Sequence, residues 1–265
     1  MQPNPSFVQF AMANYGKEHL ISSFPFKCFA FNNGQLLVCY IDLKTYINQF
    51  CPPDYFEQLH FPKKDARLIL VWEDLWITQT DLVKQRILAL LGQSQRIHAR
   101  QTQVVRIDKQ TAFTFLEKNH LQGPTSAYYK FALMANHDIL AVATFSKARV
   151  MHDGPTYYRS FELERFANLS GFTVVGGLSK LLHHFMSNYQ VKHIMTYADR
   201  DWSSGDSYLK LGFVEQGFYP AASLYVHTKT FTRFFPNRLS VQQQQSTDFI
   251  KVYNAGSIKF VLNRP

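Results

Sequence analysis

The stretch Ser207-Tyr208-Leu209-Lys210-Leu211-Gly212-Phe213 carries the strongest local signal in the chain. We expect a short helix over 204–211, followed by a strand that starts at Phe213. The apolar run 193–198 upstream predicts another strand. A strand, a short helix and a strand in this order indicate an α/β fold.

A glycine pair opens the helix before that strand. The segment Thr173-Val-Val-Gly-Gly-Leu-Ser-Lys180 leads into apolar positions with the three-four-seven spacing of a core-facing helix. A helix N-terminus presents unpaired N–H groups and the positive end of the dipole, and glycine lets a phosphate approach the backbone closely. The Ser179 hydroxyl and the Lys180 charge would add to such a phosphate site. Tight packing of the helix on the sheet is the alternative reading of Gly176-Gly177, and both readings stay open here.

Several elements are predicted upstream of the glycine pair: a helix over 111–119 and strands over 128–134, 139–145 and 157–166. The first two strands are separated by Ala135-Asn-His-Asp138, which predicts an antiparallel hairpin. In the third strand, alternation places Phe161, Leu163 and Arg165 on one face. The region from about 99 onward is therefore a mixed α/β domain.

The order of elements from 100 to 220, with Tyr208 four residues ahead of Gly212-Phe213, resembles the GNAT (N-acetyltransferase) superfamily. The resemblance implies a domain that binds acetyl-CoA, or another acyl-CoA, as co-substrate and needs no metal. It implies that Tyr208 protonates the departing CoA thiolate and that the glycine-rich turn holds the CoA pyrophosphate. Thr173 departs from the family pattern, which usually has Arg or Gln there. The cofactor-binding positions implied are Val174, Val175, Gly176, Gly177, Leu178, Ser179, Lys180 and Ser204.

A narrower resemblance runs from about 96 to 262, and its blocks follow one another in the expected order. They are 115–123, 144–149, 162–166, 175–182, 196–203 and 252–260. These blocks are similar to the Mom-like GNAT domain of phage DNA-modification proteins and of phage-type homing endonucleases. The resemblance implies that the acceptor amine is linked to nucleic acid.

In those relatives the N-terminal part is a restriction-endonuclease-type nuclease, and Leu68–Trp76 with the following helix resembles the end of that fold. Such a nuclease needs acidic residues and a lysine on adjacent strands to hold Mg²⁺ and orient water. Asp42-Leu43-Lys44 is the candidate pair, and the nearest acidic residue upstream is Glu18. We therefore expect a degenerate nuclease-like α/β domain that does not cut, with an active Mg²⁺-dependent nuclease as the alternative.

Further candidates surround the predicted acyl-transfer site. Asp199 ends a strand, where α/β sheets place site residues, and is predicted to orient an amine or to act as a base through water; a structural turn cap is the alternative. His120, Lys147, Arg149 and Arg165 are predicted to bind the substrate. The three cations would suit an anionic substrate, and the alternatives for these residues are loop hydrogen bonding and solvated or paired charges.

Charge and cysteine content limit the possible binding partners and the cellular compartment of the protein. The formal charge is +9, and residues 225–265 carry six Lys/Arg against one Asp/Glu. This basic C-terminal region predicts a polyanionic partner such as DNA. Cys28, Cys39 and Cys51 lack a CxxC spacing, which predicts three reduced thiols in a cytoplasmic protein. The sequence has no signal-peptide pattern and no apolar run of eighteen residues, so we expect no membrane association.

Together these signals predict two domains, a nuclease-like domain over 1–98 and a GNAT-like domain over 99–265 that ends in a basic hairpin of strands 249–253 and 258–262. The predicted function is acyl transfer from an acyl-CoA to an amine. The alternative from a different class is a non-catalytic DNA-binding module of mobile-element origin.

Overall fold

The computed structural model describes residues 5–21, 24–57, 66–189 and 191–263. Its first helices and strands are α1 (Pro5–Ala13), β1 (Lys17–His19), β2 (Lys27–Phe31), β3 (Leu36–Ile41), α2 (Leu43–Asn48), β4 (Arg67–Trp72), α3 (Glu73–Thr78), α4 (Thr80–Leu90), β5 (Gln95–His98) and β6 (Gln103–Arg106). There follow α5 (Lys109–Asn119), β7 (Tyr129–Ala135), β8 (Asp138–Phe145), β9 (Arg149–Asp153), β10 (Thr156–Asn168), β11 (Phe172–Val175), α6 (Gly177–Tyr189) and β12 (His193–Asp199). The last are α7 (Asp206–Leu209), β13 (Val214–Tyr219), β14 (Ser223–His227), β15 (Arg233–Phe234), α8 (Val241–Gln245), β16 (Phe249–Tyr253) and β17 (Ser257–Asn263).

The chain forms two compact units that are interleaved in sequence. The first unit comprises Met1–Val83, Ala198–Ser204 and Phe218–Ile258, and the second comprises Lys84–Tyr197, Gly205–Gly217 and Lys259–Pro265. This division does not coincide with the predicted boundary between residues 98 and 99. Most of the basic C-terminal region belongs to the first unit, whereas the predicted domain over 99–265 included it.

The second unit is built on a mixed sheet with the strand order β13-β17-β12-β10-β8-β7-β6 in the part of the chain that is described, and β9 pairs with β10 outside this path. Strands β6, β7, β8 and β10 pair antiparallel, whereas β10 and β12 pair parallel. Helix α5 packs on one face through Phe115 and Leu116, which join a core cluster with Val142 and Ala167. On the other face Phe185 of α6 stacks on Phe145 of β8, with ring centroids 4.0 Å apart.

The predicted hairpin of this unit is confirmed as β7 and β8, with Ala135 opposite Asp138. The two residues between them, Asn136 and His137, have φ values of 49° and 70°. Positive φ at both central residues is the signature of a type I′ turn, whose twist matches that of the flanking strands. The local sequence therefore determined this hairpin.

A β-bulge interrupts the alternation of β10. Leu163 lies opposite Phe145 of β8, but Arg165 lies opposite Thr144, so the register shifts between Leu163 and Arg165. Residues directly opposite each other share a face, and one extra residue reverses the alternation beyond it. The prediction that Leu163 and Arg165 share a face is therefore wrong: Leu163 lies on the α6 face and Arg165 on the face that carries α5.

The first unit contains a four-stranded sheet in the order β1-β2-β3-β4, among the described strands, with β3 and β4 parallel. Cys28 of β2 lies directly opposite Cys39 of β3, with Cα atoms 4.0 Å apart, and the two buried residues form a disulfide. The prediction of three reduced thiols is therefore wrong for this pair, because the antiparallel register brings together residues that the sequence spacing did not link. Cys51 is a free thiol.

The later segments of the first unit are attached to its sheet by buried carboxylates. The Asp201 carboxylate accepts the Trp72 Nε1–H at 3.0 Å and the Ala255 N–H at 2.8 Å. Burial, with the nearby charge of Asp199, raises the pKa of Asp201 to about 7. The interior thus contains a carboxyl group that two donors hold in place.

A second buried carboxylate, that of Asp74, receives Arg233 through Nε and Nη2, both at 2.7 Å. The Arg233 guanidinium also lies 5.5 Å from the centre of the Trp72 ring. A bidentate pair of this kind is directional and is held by charge as well as by hydrogen bonds. It fixes the 218–258 segment on the N-terminal sheet of the same unit.

The predicted C-terminal hairpin does not form. Strand β16 pairs with β14 in a three-stranded sheet, whereas β17 joins the large sheet between β12 and β13. The intervening Gly256 has φ +78°, and a Cβ there would lie 2.4 Å from the Tyr219 carbonyl oxygen. The chain therefore leaves one sheet and enters another at this glycine. No helix among the described residues is long and apolar enough to cross a membrane.

Gly205 offers a test of how α7 is placed. It precedes α7 with φ +83°, and a Cβ there would lie 2.1 Å from the ring of Phe260 on β17. We expect Gly205→Ala to lower the free energy of unfolding by about 2–5 kcal/mol, since a left-handed non-glycine residue costs about 1–2 and overpacking about 1–3 kcal/mol. Chemical denaturation measures this change.

Gly92→Ala is the matched control, because Gly92 has φ +78° but nothing within 4 Å of an added Cβ. It should lose only the conformational part, about 1–2 kcal/mol. Equal losses in the two variants would contradict the steric role of the Phe260 ring.

Candidate functional site

The candidate site of the second unit lies where β10 and β12 separate. Their parallel ladder pairs Ser160 with His193, Phe161 with Ile194 and Glu162 with Met195, and ends there although both strands continue. Beyond this point a side chain replaces the ladder, because the Thr196 Oγ1–H donates to the Leu163 carbonyl at 3.0 Å. The separation leaves backbone groups of both strands without their ladder partners, as at a site that accepts a ligand between strands.

The bulge of β10 lies beside this separation, between Leu163 and Arg165. Bulges re-aim side chains and interrupt pairing, and they occur often next to active sites. Here the bulge turns Arg165 to the α5 face and leaves Glu164 as the extra residue. The end of the ladder with β12, at Glu162, and the bulge opposite β8, between Leu163 and Arg165, thus involve neighbouring residues on the two edges of β10.

Tyr208 lies beside Thr196. Its hydroxyl lies within side-chain hydrogen-bonding reach of Thr196, whose own hydroxyl proton goes to the Leu163 carbonyl. Burial raises the pKa of Tyr208, whereas Thr196 and the charges of Arg86 and Arg165 act in the opposite direction. The phenol therefore keeps its proton at neutral pH and can serve as an acid.

The spacing from Tyr208 to Gly212-Phe213 has a structural reason. The Phe213 N–H donates to the Tyr208 carbonyl at 3.1 Å, the Gly212 N–H donates to the Leu209 carbonyl at 3.0 Å, and Gly212 has φ +85°. These two bonds with a left-handed glycine form a Schellman motif, which usually brings the first and last of these residues into contact. The Tyr208 and Phe213 rings do lie 5.5 Å apart, and Phe260 lies 5.5 Å from Tyr208 on another side.

Glycine is required at positions 176 and 177, at the start of α6, for different structural reasons. Gly176 has φ +75°, and a Cβ there would meet only the Ala99 side chain at 3.7 Å. A Cβ on Gly177 would lie 3.1 Å from the side chains of Leu133 and Val174. Gly177 therefore serves close helix–sheet packing, which was the alternative reading, while Gly176 is favoured by its left-handed backbone, since an added Cβ would make only an ordinary contact with Ala99.

Two polar residues of this turn are engaged in other contacts. Lys180 Nζ donates to the Ala99 carbonyl at 2.9 Å and to the Thr102 carbonyl. The Thr173 hydroxyl contacts the Ser94 hydroxyl at 2.6 Å, because β11 pairs with β5. Lys180 thus ties the β5–β6 connection to α6. Pairing with β5 also gives Thr173, at the position where the resembled family usually has Arg or Gln, a structural role in this chain.

The remaining predicted cofactor positions lie around the same turn. Val174 and Leu178 are buried, the Val174 N–H donates to the Asn168 side-chain oxygen at 3.3 Å, and Val175 is half-buried. Ser179 lines a cavity of about 270 Å³ together with Leu182, His183, Met186, Leu211, Leu262 and Asn263. The α6 members share one helix face, and Leu211 belongs to the Tyr208 motif. This cavity therefore connects the first turn of α6 with the segment that carries Tyr208.

His120 and Arg165 lie together on the α5 side. The Arg165 Nε–H donates to the Gly123 carbonyl at 3.0 Å, and the Gly123 N–H donates to the His120 carbonyl at 2.7 Å. Burial first, then the charges of Arg165 and Arg86, lower the pKa of His120 to about 3. The imidazole is therefore neutral at any physiological pH.

The other predicted substrate ligands are held elsewhere. Lys147 Nζ lies 5.0 Å from the centre of the Tyr128 ring, and the largely exposed Arg149 lies 3.6 Å from the Glu162 carboxylate. Arg149 and Arg165 both act on the pKa of Glu162, which burial raises. Arg149 and Arg165 thus both interact electrostatically with Glu162, whereas Lys147 contacts the Tyr128 ring.

Asp199 and Ser204 belong to the first unit. The Asp199 carboxylate accepts the Asp201 N–H at 3.0 Å, which is the turn-capping contact named as the alternative. Ser204 is exposed. Their assignment to catalysis and cofactor binding stays a prediction.

The nuclease candidates of the first unit occupy a helix start. The Asp42 carboxylate accepts the Thr45 N–H at 2.8 Å as the N-cap of α2, and Lys44 lies within that helix and not on a strand. The Glu73 carboxylate accepts the Leu43 N–H at 2.9 Å. Across the described residues, no group of three His, Cys, Asp or Glu side chains is placed to hold a metal ion. Asp42 thus has a structural task here.

Three contributors to the site were missed from sequence. Arg86 lies on α4, far in sequence from the residues whose pKa it affects, and no local pattern marks it. Thr196 is a single threonine inside a strand, and Phe260 is an apolar residue near the C-terminus. The only sequence feature linked to Phe260 is the glycine at position 205. It is needed there because the Phe260 ring packs against it, and this contact is not visible in the sequence.

Comparison with known proteins gives structural resemblances alone. No family model matches the chain, and no curated protein matches it. An acetyltransferase from Corynebacterium glutamicum related to histone acetyltransferase HPA2 is 13% identical over 62% of this chain and 97% of its own, with a TM-score of 0.40. A Bacillus subtilis acetyltransferase in complex with CoA is 12% identical over 62% and 99%, with a TM-score of 0.40.

A GNAT family acetyltransferase from Elizabethkingia anophelis with acetyl-CoA bound is 12% identical over 62% of this chain and 99% of its own, with a TM-score of 0.38. Solved structures similar to this chain thus include GNAT-family acetyltransferases. Because these TM-scores lie below 0.5, the proposals that follow rest on the residues of the chain itself.

The neutral state of His120 can be tested through the pH dependence of stability. Its pKa is about 3 in the folded protein, against about 6.5 in an unfolded chain. As the pH falls below 6.5 the unfolded state takes up this proton first, so His120 lowers the free energy of unfolding progressively down to about pH 3. His120→Gln should therefore lose less stability than the wild type between pH 7 and pH 5, measured as urea midpoints.

The exposed His152 provides the matched control, since His152→Gln should follow the wild-type pH dependence. A His120→Gln variant whose midpoint changes with pH as much as that of the wild type would show that this imidazole titrates normally.

Proposed function

We propose that this protein is a GNAT-like acyltransferase that uses acetyl-CoA or a related acyl-CoA and transfers the acyl group to an amine. The observation that carries the proposal is Tyr208, a protonated phenol held by Thr196 at the separation of β10 and β12. The N–H groups at the start of α6 suit a pyrophosphate, and the left-handed Gly176 precedes them. The cavity between α6 and Leu211 supports passage of an elongated ligand from one to the other.

In this proposal each residue has a defined task. Acyl-CoA supplies the thioester when it is bound. The amine forms the new C–N bond as the C–S bond breaks, Tyr208 is placed to give its proton to the leaving sulfur, and the proton lost by the amine nitrogen restores the phenol. Backbone N–H groups of the β10 edge, freed from the ladder beyond Glu162, are suited to stabilise the developing oxyanion.

The finer sequence predictions remain part of the proposal. The Mom-like affiliation and the nucleic-acid-linked acceptor rest on sequence resemblance and on the basic residues of 225–265. The nuclease-like origin of the first unit and the cytoplasmic location rest on sequence as well. A non-catalytic DNA-binding module is the competing class.

Binding of the co-substrate is the first test. A ligand that binds only the native state stabilises it by about 2.7 kcal/mol at 100 times its Kd. We expect acetyl-CoA to raise the thermal midpoint, with desulfo-CoA or CoA as comparison ligands. No rise with any of them, together with salt-sensitive DNA binding, would favour the non-catalytic module.

Tyr208 is the second test. Tyr208→Phe should lower kcat by about 10²-fold or more, as expected for loss of a general acid, and should leave the acetyl-CoA-induced midpoint shift unchanged. Release of the CoA thiol in the presence of a panel of amines measures turnover. Tyr157→Phe, which changes a tyrosine that is 75% exposed, should keep wild-type kcat. Wild-type turnover in Tyr208→Phe would remove Tyr208 from the proposed role.

A further inference from the structure

A groove of the first unit lies between the end of α2 and strand β16. It has a volume of about 360 Å³, and its walls include Tyr46, Ile47 and Phe50 on the α2 side and Phe249, Lys251 and Tyr253 on β16. Tyr46 and Val252 belong to one buried cluster, so packing fixes the two walls against each other. Cavities that bind small ligands measure about 300–1,000 Å³. The α2–β16 groove is therefore large enough to take an organic group.

Strand β16 places an aromatic side chain, a cation and a second aromatic side chain along this groove. Phe249, Lys251 and Tyr253 occupy alternate positions of the strand and therefore share one face. Lys251 lies directly opposite Tyr225 of β14. Its Nζ is 5.9 Å from the centre of the Tyr225 ring and 5.4 Å from the centre of the Tyr253 ring. An ammonium group is thus held among aromatic rings at the groove.

The charge of Lys251 is available to a ligand. The side chain is exposed, and a hydrogen bond with the Tyr253 side chain raises the pKa of Lys251, so the amine stays protonated. The ion pairs found among the described residues do not include Lys251. The segment 225–258 contains four Lys/Arg and a single acidic residue, Asp248. The groove therefore offers positive charge beside its aromatic surface.

Phe50 occupies a position that does not suit a phenylalanine. It follows α2 at the place where a left-handed glycine is usual, and it has φ 48°. A bulky residue in this conformation is strained, and the Phe50 side chain is 88% exposed, so little burial compensates for the strain. A strained residue that keeps an aromatic ring exposed beside a groove points to a role in binding.

We propose that the α2–β16 groove binds single-stranded nucleic acid, with a base stacked on its aromatic rings and an adjoining phosphate bound by Lys251. A nucleotide joins a flat ring to a negative charge, which matches the rings and the ammonium group of the groove. Stacking on aromatic side chains accepts every base, because each base has a π-face. The strands of a duplex cover these faces by stacking among themselves. The inference goes beyond the proposed acyl transfer and does not rest on it.

The first test compares nucleic acids with the full chain and without any acyl-CoA. The probe is a fluorescein-labelled oligothymidylate of about 12 nucleotides, within the range of about 4–16 that such sites cover. Anisotropy measures its Kd, and an abasic strand of equal length and charge, the duplex with oligoadenylate and thymidine monophosphate serve as competitors. We expect the strand to bind at least about 10-fold more tightly than the abasic strand, as for one stacked base. The duplex should also bind more weakly.

Phe50→Gly assigns this binding to the groove. The variant should raise the Kd of the strand about 10-fold, and it should not lower the thermal midpoint, because glycine adopts the left-handed conformation freely. Tyr15→Gly is the matched control, since Tyr15 is also an exposed aromatic residue of the first unit, 87% accessible and with φ 63°, but it follows α1. It should keep the wild-type Kd.

Lys251→Gln tests the phosphate contact through salt dependence. Loss of one contact with a single strand should reduce the slope of log Kd against log salt by about 0.7. Lys17→Gln, which removes an exposed lysine from strand β1 of the four-stranded sheet, should leave the slope unchanged. The variants thus separate a local contact from the effect of net charge.

Several results would overturn the inference. An abasic strand that binds as tightly as oligothymidylate would reduce the interaction to charge alone, and wild-type affinity in Phe50→Gly would exclude the groove. Equally tight binding of thymidine monophosphate would assign the groove to a free nucleotide in place of a strand. Each of these results leaves the proposed acyl transfer untouched, because no acyl-CoA takes part in the measurements.

Discussion

The separation of β10 from β12 is the constraint on which the site of the second unit depends. Two parallel strands that pair over three residues and then part leave a row of backbone groups facing the gap. The Thr196 hydroxyl donates a hydrogen bond to the Leu163 carbonyl at the point of separation, and the Tyr208 hydroxyl lies within hydrogen-bonding reach of Thr196. A short chain of hydrogen bonds thus connects the end of the ladder with the group proposed as the acid.

The elements around Tyr208 hold it with little freedom. The Schellman motif joins Tyr208 to Phe213 through the backbone, and the ring of Phe260 occupies the space that a side chain at Gly205 would need. Preorganisation of this kind is what a reactive side chain requires, because a displacement of about 1 Å can lower a rate about 10²-fold. The glycines of this segment therefore serve the position of the tyrosine as much as the turn itself.

The polar groups on the α5 side include one buried hydroxyl that is left unsatisfied. The buried Thr144 hydroxyl has no hydrogen-bond partner among the described residues, and burial with the charges of Arg165 and Arg86 keeps His120 neutral by lowering its pKa. Departures from full satisfaction tend to mark functional sites. The buried carboxylates Asp201 and Asp74 of the first unit are different, since each has its donors and serves packing.

What the sequence determined by itself was local. The β7–β8 hairpin, the amphipathic helix α6 and the spacing of Tyr208 to Gly212-Phe213 each depend on contacts within a few residues, so periodicity and glycine position were sufficient to predict them. Strand β10, predicted over 157–166, was also foreseen to within two residues at each end. The candidate acid Tyr208 and the glycine-rich turn were therefore found before the fold was known.

What only the tertiary structure decided was register and long-range pairing. A single bulged residue moved Arg165 to the opposite face, the antiparallel register joined Cys28 to Cys39, and β17 left its predicted hairpin for the large sheet. The charge of Arg86, on α4, acts on the pKa of Tyr208, and Lys180 Nζ donates to the Ala99 and Thr102 carbonyls. Each of these outcomes depends on residues distant in sequence, whose contacts are set by the energy of the whole packed unit and leave no periodic trace in the chain.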